Sequence, residues 1–134
     1  MALRGYVAKL KKQTEKNADF RRVLYTGKHS QLVLMNLEPG EEIGEEVHEH
    51  IDQFFRFESG EGAVFIDGVQ HKVRGGDAAI VPAGANHNVV NMSDHIELKF
   101  YTIYSPPEHQ DKVVRRTKAD ALASPEEYNG KPTE

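Results

Sequence analysis

The sequence predicts an all-β protein, folded as a sandwich or barrel, and three observations support this fold class. From residue 43 onward, short runs that favour strands recur at regular intervals and are separated by turn residues. Asp67-Gly68 lies between two such runs and suits a type I′ hairpin turn, in which both central residues have positive φ. Residues 96–100 alternate between apolar and charged side chains, as expected for a strand with one buried face.

The order of the strands follows from β-branched and aromatic runs bounded by glycine, proline, asparagine and serine. Residues 1–19 are polar, and their few apolar positions suit either a short helix or a strand that crosses to a partner subunit. The Ser105-Pro106-Pro107 run ends the sheet, because proline cannot donate a hydrogen bond to a neighbouring strand. Strands are predicted at 20–26, 32–37, 53–57, 63–66, 69–73, 78–81, 88–91 and 96–104.

The pattern changes after the last strand. Thr117 to Asp120 resembles a capping box and predicts a short helix that ends at Ala123. Ser124-Pro125 has the composition of a second helix start, and residues 129–134 are expected to be loose. The predicted organisation is one domain with an N-terminal segment at 1–19, a barrel at 20–107, and C-terminal short helices and a tail at 108–134.

The composition limits the class of protein. The chain has 134 residues, a mass of 15.1 kDa and a net charge of −4, which fits one domain and argues against nucleic acid as a partner. It contains no cysteine, which excludes disulfides, thiolate metal ligands and cysteine nucleophiles. No signal peptide is visible, and no apolar run reaches the ~20 residues of a membrane span. We therefore expect a cytoplasmic protein with no membrane partner; a cleaved organelle-targeting segment is the alternative.

Two stretches of the sequence carry side chains that suit a metal site. His48 and His50 are two residues apart, so in a strand both imidazoles project from the same face. Gln53 follows after a short break and opens a new apolar run. In the second stretch, His87 begins a strand shortly after a proline and a glycine. Three imidazoles and one amide oxygen are a suitable ligand set for a divalent transition metal.

The second stretch resembles the second motif of the cupin family at every fixed position. Gly76 is followed by five residues and Pro82, then by one residue and Gly84. Two further residues lead to His87, and three more lead to Asn91. This spacing is specific, and it identifies the chain as similar to cupins.

The first stretch resembles the first cupin motif, with one alteration. The His48-x-His50 pair is followed by Gln53 and, after six residues, by Gly60. Glutamine stands where most cupins have glutamate, and it comes one residue early in this alignment. The resemblance covers residues 31–104 and points to a small single-domain cupin.

This resemblance implies a double-stranded β-helix, the RmlC-like jelly roll, with one metal ion inside. It implies that His48, His50 and His87 ligate the ion and that Gln53 takes the position of the acidic ligand. Asp52 is a rival for that fourth position, because the spacing is shorter than usual. Iron, manganese, nickel, copper and zinc all remain open.

The function predicted from these features is a small metalloenzyme of the dioxygenase, isomerase or lyase type. The alternative is a non-catalytic cupin that binds a sugar or a carboxylate, and a cupin without metal is a third option. A neutral Gln53 would leave a divalent site at a formal charge of about +2, which favours an anionic small-molecule ligand. Glu46 shares the face of His48 and is the candidate catalytic acid or base, unless it is a solvated rim carboxylate. A homodimer is expected.

The remaining aromatic and histidine residues receive structural roles. Phe55 and Phe57 are expected inside the barrel, and an outward Phe54 suggests a subunit interface or a covering N-terminal strand. Tyr101 and Tyr104 could border the cavity or pack in the core. The histidines outside the two stretches are expected at the surface; they are His29, His71, His95 and His109.

Overall fold

The computed structural model describes residues 2–134, which form ten strands and two short helices. The strands make two antiparallel sheets, with orders β10-β1-β2-β9-β4-β7 and β3-β8-β5-β6. This arrangement confirms the predicted all-β double-stranded β-helix with a short C-terminal helix. The elements are α1 (Leu10–Lys16), β1 (Arg21–Thr26), β2 (Gln31–Leu37), β3 (Glu46–Val47), β4 (Asp52–Ser59), β5 (Glu61–Ile66), β6 (Val69–Arg74), β7 (Ala78–Val81), β8 (Asn86–Asn91), β9 (Leu98–Ser105), β10 (Val114–Arg115) and α2 (Lys118–Ala123).

The pairing of β4 with β9 builds the wall that carries part of the candidate site. Gln53, Phe55 and Phe57 alternate with less buried residues along β4, as the strand period of two requires. In the register between the strands, Gln53 lies opposite Tyr104, and Phe55 lies opposite Thr102. All five side chains are buried, so β4 and β9 place an amide, a hydroxyl and a phenol on one inner face.

The predicted hairpin is present between β5 and β6. Asp67 and Gly68 form its turn with φ values of 45° and 82°, which confirms the expected pair of positive φ angles. The last long strand begins at Leu98, so its predicted start at residue 96 is wrong. Ile96 instead donates its backbone N–H to the hydroxyl of Ser93 in the preceding turn.

The core lies between the two sheets and is rich in aromatic rings. Phe55, Phe57 and Phe100 are fully buried and pack with ring centroids 5.3–6.3 Å apart. The expected inward positions of Phe55 and Phe57 are therefore confirmed. Phe54, on the opposite face of β4, is half-buried and packs against Tyr101. Of the two alternatives predicted for the N-terminal segment, a short helix and a strand that crosses to a partner, the structure has the helix. This helix, α1, contacts both β4 and β9.

The C-terminal segment packs on the barrel. Helix α2 begins as predicted, because Thr117 Oγ1 accepts a hydrogen bond from the backbone N–H of Asp120. Ala121 of this helix is part of the core, and β10 extends the six-stranded sheet. Among residues 2–134, no helix has the length and apolar character that a membrane span requires.

Two expectations for the residues after α2 are wrong. Residues 124–134 contain no helix, although Ser124-Pro125 suggested one. The segment runs back along the barrel, where the N–H of Thr133 donates to the carbonyl of Thr26 over 2.8 Å. The carboxylate of Glu134 accepts a hydrogen bond from the hydroxyl of Tyr25 at 2.6 Å. These bonds, which link residues far apart in sequence, hold the tail that was expected to be loose.

Candidate metal centre

A carboxylate and two imidazoles converge between the sheets. Glu46 on β3 lies directly opposite His87 on β8, and His48 follows β3. The ligand atoms of these three side chains all lie within 4.8 Å of one another. Oε2 of Glu46 is 3.2 Å from Nε2 of His48 and 3.8 Å from Nε2 of His87. One carboxylate oxygen and two imidazole nitrogens in this arrangement could hold a divalent transition metal ion.

The local structure explains why Glu46, and not His50, joins this group. Glu46 on β3 and His48, the residue directly after this strand, share a face, while Val47 between them is 45% exposed. The strand ends there, and residues 49 and 50 form a turn. Alternation therefore stops before His50, whose side chain is exposed and lies outside the group.

The contacts of the other ring nitrogens leave Nε2 of each histidine facing the group. Nδ1 of His87 lies 3.2 Å from the carbonyl oxygen of Ala85, to which it can only donate. Nε2 of His87 is buried without a hydrogen-bond partner among residues 2–134, and in the neutral ring it is the nitrogen that can ligate a metal. Nδ1 of His48 lies 3.4 Å from the carboxyl of Glu108, on the side of the ring away from Glu46.

Gln53 supplies a second orphaned atom. Its side chain is 1% exposed, and its Nε2 donates to the hydroxyl of Thr102 over 3.0 Å. Its Oε1 is buried and has no partner within the described chain. Because buried polar atoms are normally paired, the lone pairs of Gln53 Oε1 and His87 Nε2 are what a bound cation would satisfy. The residues present therefore fit a metal ion.

Asp52, the rival fourth ligand, lies at the surface. Its side chain is exposed, and Oδ1 accepts a hydrogen bond from the backbone N–H of Ala83 over 2.8 Å. The geometry also removes the irregular spacing of the first motif. If Glu46 and His48 form the pair, four residues separate His48 from Gln53, and the glutamine is no longer early.

Glu46 and His48 shift each other's proton affinity. Burial alone would raise the pKa of Glu46, but the hydrogen bond from His48 and the charge of that ring hold the pKa below its usual value. The same hydrogen bond to Glu46 raises the pKa of His48, although burial opposes the shift. The two shifts describe a carboxylate paired with an imidazolium, whose proton a metal ion would displace.

A cavity of about 220 Å³ leads from the surface to Glu46. Charges of both signs line it, from Arg21 and Lys118 as well as Glu46 and Glu108. One wall is formed by α2 and the residues after it. A larger cavity of about 440 Å³ near Glu61 contains none of the converging side chains.

Sequence reasoning missed the residues beneath this cavity. His109 was expected at the surface, but it is 8% exposed, so that expectation is wrong. Its Nδ1 is 2.6 Å from Glu126, and its Nε2 is 3.2 Å from the hydroxyl of Tyr104. Tyr104 in turn packs edge-on against His48, with 6.0 Å between ring centroids. Tyr104 was expected either to border the cavity or to pack in the core, and it is buried. No local pattern marked His109 or Glu126, because their partners are distant in sequence. The other three histidines outside the motifs are exposed, as expected: His29, His71 and His95.

Comparison with known proteins gives consistent matches. The family model described as Cupin domain matches residues 33–104. The uncharacterized protein YrkC of Bacillus subtilis is 43% identical over 125 residues, which cover 89% of this chain and 67% of that protein. The crystal structure of BH2720 from Bacillus halodurans has a TM-score of 0.87 at 42% identity, covering 90% of this chain and 96% of that chain. The region matched by the family model includes Glu46, His48, Gln53 and His87.

Proposed function

Because the chain belongs to the cupin family, we propose that it holds one divalent transition metal ion with Glu46, His48, Gln53 and His87. The observation that carries this proposal is the convergence of one carboxylate and two imidazoles, whose ligand atoms lie within 4.8 Å of one another. The unpartnered oxygen of Gln53 supports a fourth ligand on β4. In this set Glu46 replaces His50, the ligand expected from the resemblance.

The proposed ligand set changes the charge of the site. A divalent ion held by one carboxylate, two neutral imidazoles and an amide has a formal charge of about +1. The anionic ligand predicted from a formal charge of about +2 is therefore no longer favoured by the charge of the site. The mixed charges and the volume of about 220 Å³ support a small polar metabolite as the ligand.

We infer that the protein is an enzyme, because a titratable group lies where such a ligand would bind. A bound divalent ion would supply Lewis-acid chemistry at a substrate oxygen. The carboxyl of Glu108 faces the cavity and contacts His48, and burial raises its pKa, so it retains a proton to higher pH than an ordinary glutamate. Glu108 is therefore the candidate group for moving a proton to or from the substrate. The reaction type, the cytoplasmic location and the homodimer stay predictions.

Metal content tests the ligand set. We expect one metal ion per chain in the wild-type protein after reconstitution, and loss of the metal in Glu46→Ala and His87→Ala. His50→Ala is the matched control and should keep its metal, because its imidazole lies outside the group. The measurement is mass spectrometry of the metal in desalted protein, with circular dichroism to verify folding.

Two results would contradict the proposal. Loss of metal in His50→Ala with full retention in Glu46→Ala would restore the ligand pair expected from the resemblance. A folded wild-type protein that binds no iron, manganese, nickel, copper or zinc would be a barrel that binds its ligand without a metal.

A further inference from the structure

A chain of buried hydrogen bonds leads from the segment after α2 to the candidate metal centre. We propose that Glu126, His109 and Tyr104 are positioning residues that orient the amide of Gln53, so that its oxygen and not its nitrogen faces the metal. The inference rests on the proposed function, because it concerns how one of the proposed ligands is held.

The first link sets the tautomer of His109. Its Nδ1 lies 2.6 Å from Oε2 of Glu126, and both side chains are about nine-tenths buried. Burial alone would raise the pKa of Glu126, but the hydrogen bond with His109 and the charge of Arg21 hold it below its usual value. An ionised carboxylate can only accept, so Nδ1 of His109 carries the proton. Burial lowers the pKa of His109, so the ring is neutral and its Nε2 is an acceptor.

The second link sets the direction of the Tyr104 hydroxyl. Nε2 of His109 lies 3.2 Å from this oxygen, and the two rings meet edge to face with centroids 5.0 Å apart. Because Nε2 can only accept, the phenol must donate its single proton to His109. A phenol keeps its proton at neutral pH, so the proton stays on the oxygen. The phenol oxygen is then left as an acceptor toward its other neighbours.

The third link sets the amide of Gln53, which lies opposite Tyr104 in the strand register. One hydrogen of the amide nitrogen is donated to the hydroxyl of Thr102 over 3.0 Å. The other is available to the phenol oxygen of Tyr104, and a hydrogen bond from this amide opposes the effect of burial on the pKa of Tyr104. A flipped amide would place its oxygen against a phenol oxygen whose proton is already committed to His109. The observed orientation directs the amide nitrogen to these acceptors and leaves Oε1 without a partner among the described residues.

The hydrogen-bond chain from Glu126 to Gln53 matters because the side chain of Gln53 is an amide. A carboxylate has two equivalent oxygens and can ligate in either orientation, whereas an amide has one ligating atom. A glutamine ligand therefore needs a directional partner, and the chain from Glu126 supplies one. The segment after α2 thus contributes to the centre, although none of its side chains belongs to the converging group.

A double-mutant cycle with Co²⁺ tests the proposal. Tyr104→Phe keeps the ring that packs on His48 but removes the hydroxyl, and we expect about 10- to 100-fold weaker Co²⁺ binding, the usual effect of removing a partner of a metal ligand. In a Gln53→Glu background, the same substitution should change the dissociation constant by no more than about twofold. The measurement is titration followed by the visible absorption of bound Co²⁺, whose band shape also reports a change of ligand atom.

Glu126→Gln is a second variant that keeps the shape of the side chain. An amide can donate to Nδ1 of His109 as well as accept from it, so the tautomer is no longer set. We expect weaker Co²⁺ binding and the same change in band shape as in Tyr104→Phe. Thermal unfolding of every variant verifies that the barrel is intact.

The possible results distinguish a failure of the positioning role of Tyr104 from a failure of the proposed metal site. Tight Co²⁺ binding by the wild-type protein with no effect of Tyr104→Phe would overturn the positioning role alone. An equal loss of affinity in the wild-type and Gln53→Glu backgrounds would also overturn it, because the hydroxyl would then act through packing. A wild-type protein that binds no Co²⁺ would overturn the proposed function and this inference together.

Discussion

Glu46 determines much of the chemistry of this site at the scale of single residues. One of its oxygens faces both His48 and His87, at 3.2 and 3.8 Å. It supplies the negative charge that the neutral Gln53 does not. Because this oxygen is one of the converging atoms, we propose Glu46 as a metal ligand. Glu108 then takes the acid–base role that the sequence predicted for Glu46.

A second residue-scale consequence concerns the stability of the metal-free protein in acid. Burial, assisted by Arg21, holds the pKa of His109 below its usual value, although Glu126 opposes the shift. The unfolded chain therefore binds a proton more readily, and stability is lost as the pH falls below about 6.5. We expect the free energy of unfolding in urea to fall by about 1 kcal/mol more in the wild-type protein than in His109→Gln between neutral pH and about pH 5.5.

The comparison with His109→Gln separates this effect from that of the site. The raised pKa of His48 acts in the opposite direction, because its bond with Glu46 stabilises the fold below the unfolded pKa and is lost as the pH rises. The wild-type protein and His109→Gln both have the contribution of His48, so it cancels when their changes in unfolding free energy are subtracted. Equal acid sensitivity of the two proteins would show that His109 takes up its proton in the folded state.

At the scale of elements, the connections between strands determine which side chains meet. The short strand β3 ends at Val47, and this boundary turns His50 to the solvent while His48 remains inside. Between β4 and β5, Gly60 has a φ of +93° and lies against the backbone of Glu97 and Leu98. This close approach places the turn after β4 directly against the start of β9.

Gly60→Ala should therefore destabilise the barrel strongly. A Cβ atom at this position would collide with the carbonyl oxygen of Glu97 and lie 3.0 Å from Cα of Leu98. We expect the free energy of unfolding to fall by roughly 3 kcal/mol, from backbone strain together with overpacking.

Gly40→Ala is the matched control, because Gly40 has a φ of +75° but no atom within 4 Å of the added Cβ. Its expected loss is about 1 kcal/mol, from strain alone. Urea unfolding measures both, and equal losses would mean that the loop moves to avoid the collision.

At the scale of the whole molecule, the proposed ligands come from both sheets. Glu46 and His87 belong to the four-stranded sheet, whereas Gln53 belongs to the six-stranded sheet. A metal ion held by all of them would cross-link the two layers of the barrel. The cavity above it is closed on one side by α2 and the residues that follow, so the C-terminal segment completes the site.

Metal binding should accordingly stabilise the entire fold. At a free ion concentration 100 times the dissociation constant, the free energy of unfolding should rise by about 2.7 kcal/mol in the wild-type protein. His50→Ala should show the same gain, and His87→Ala should show none. Thermal or urea unfolding with and without Zn²⁺ measures the effect. A wild-type protein whose stability does not respond to the metal would contradict the cross-link.

The sequence by itself determined the features that depend on neighbouring residues. Alternation and turn chemistry predicted most strands and the turn at Asp67-Gly68. The capping pattern at Thr117 predicted the start of α2, and the spacing around His87 predicted the family. Each of these depends on contacts within a few residues, which the local pattern contains.

Only the tertiary structure decided which side chains form the site. The choice of Glu46 over His50 depends on where β3 ends, and the pairing of β3 with β8 sets that boundary. The chain from Glu126 through His109 joins side chains that the fold brings together from separate elements. Sequence patterns report which face a side chain takes within one element, but the partner of a buried polar group is set by packing between elements.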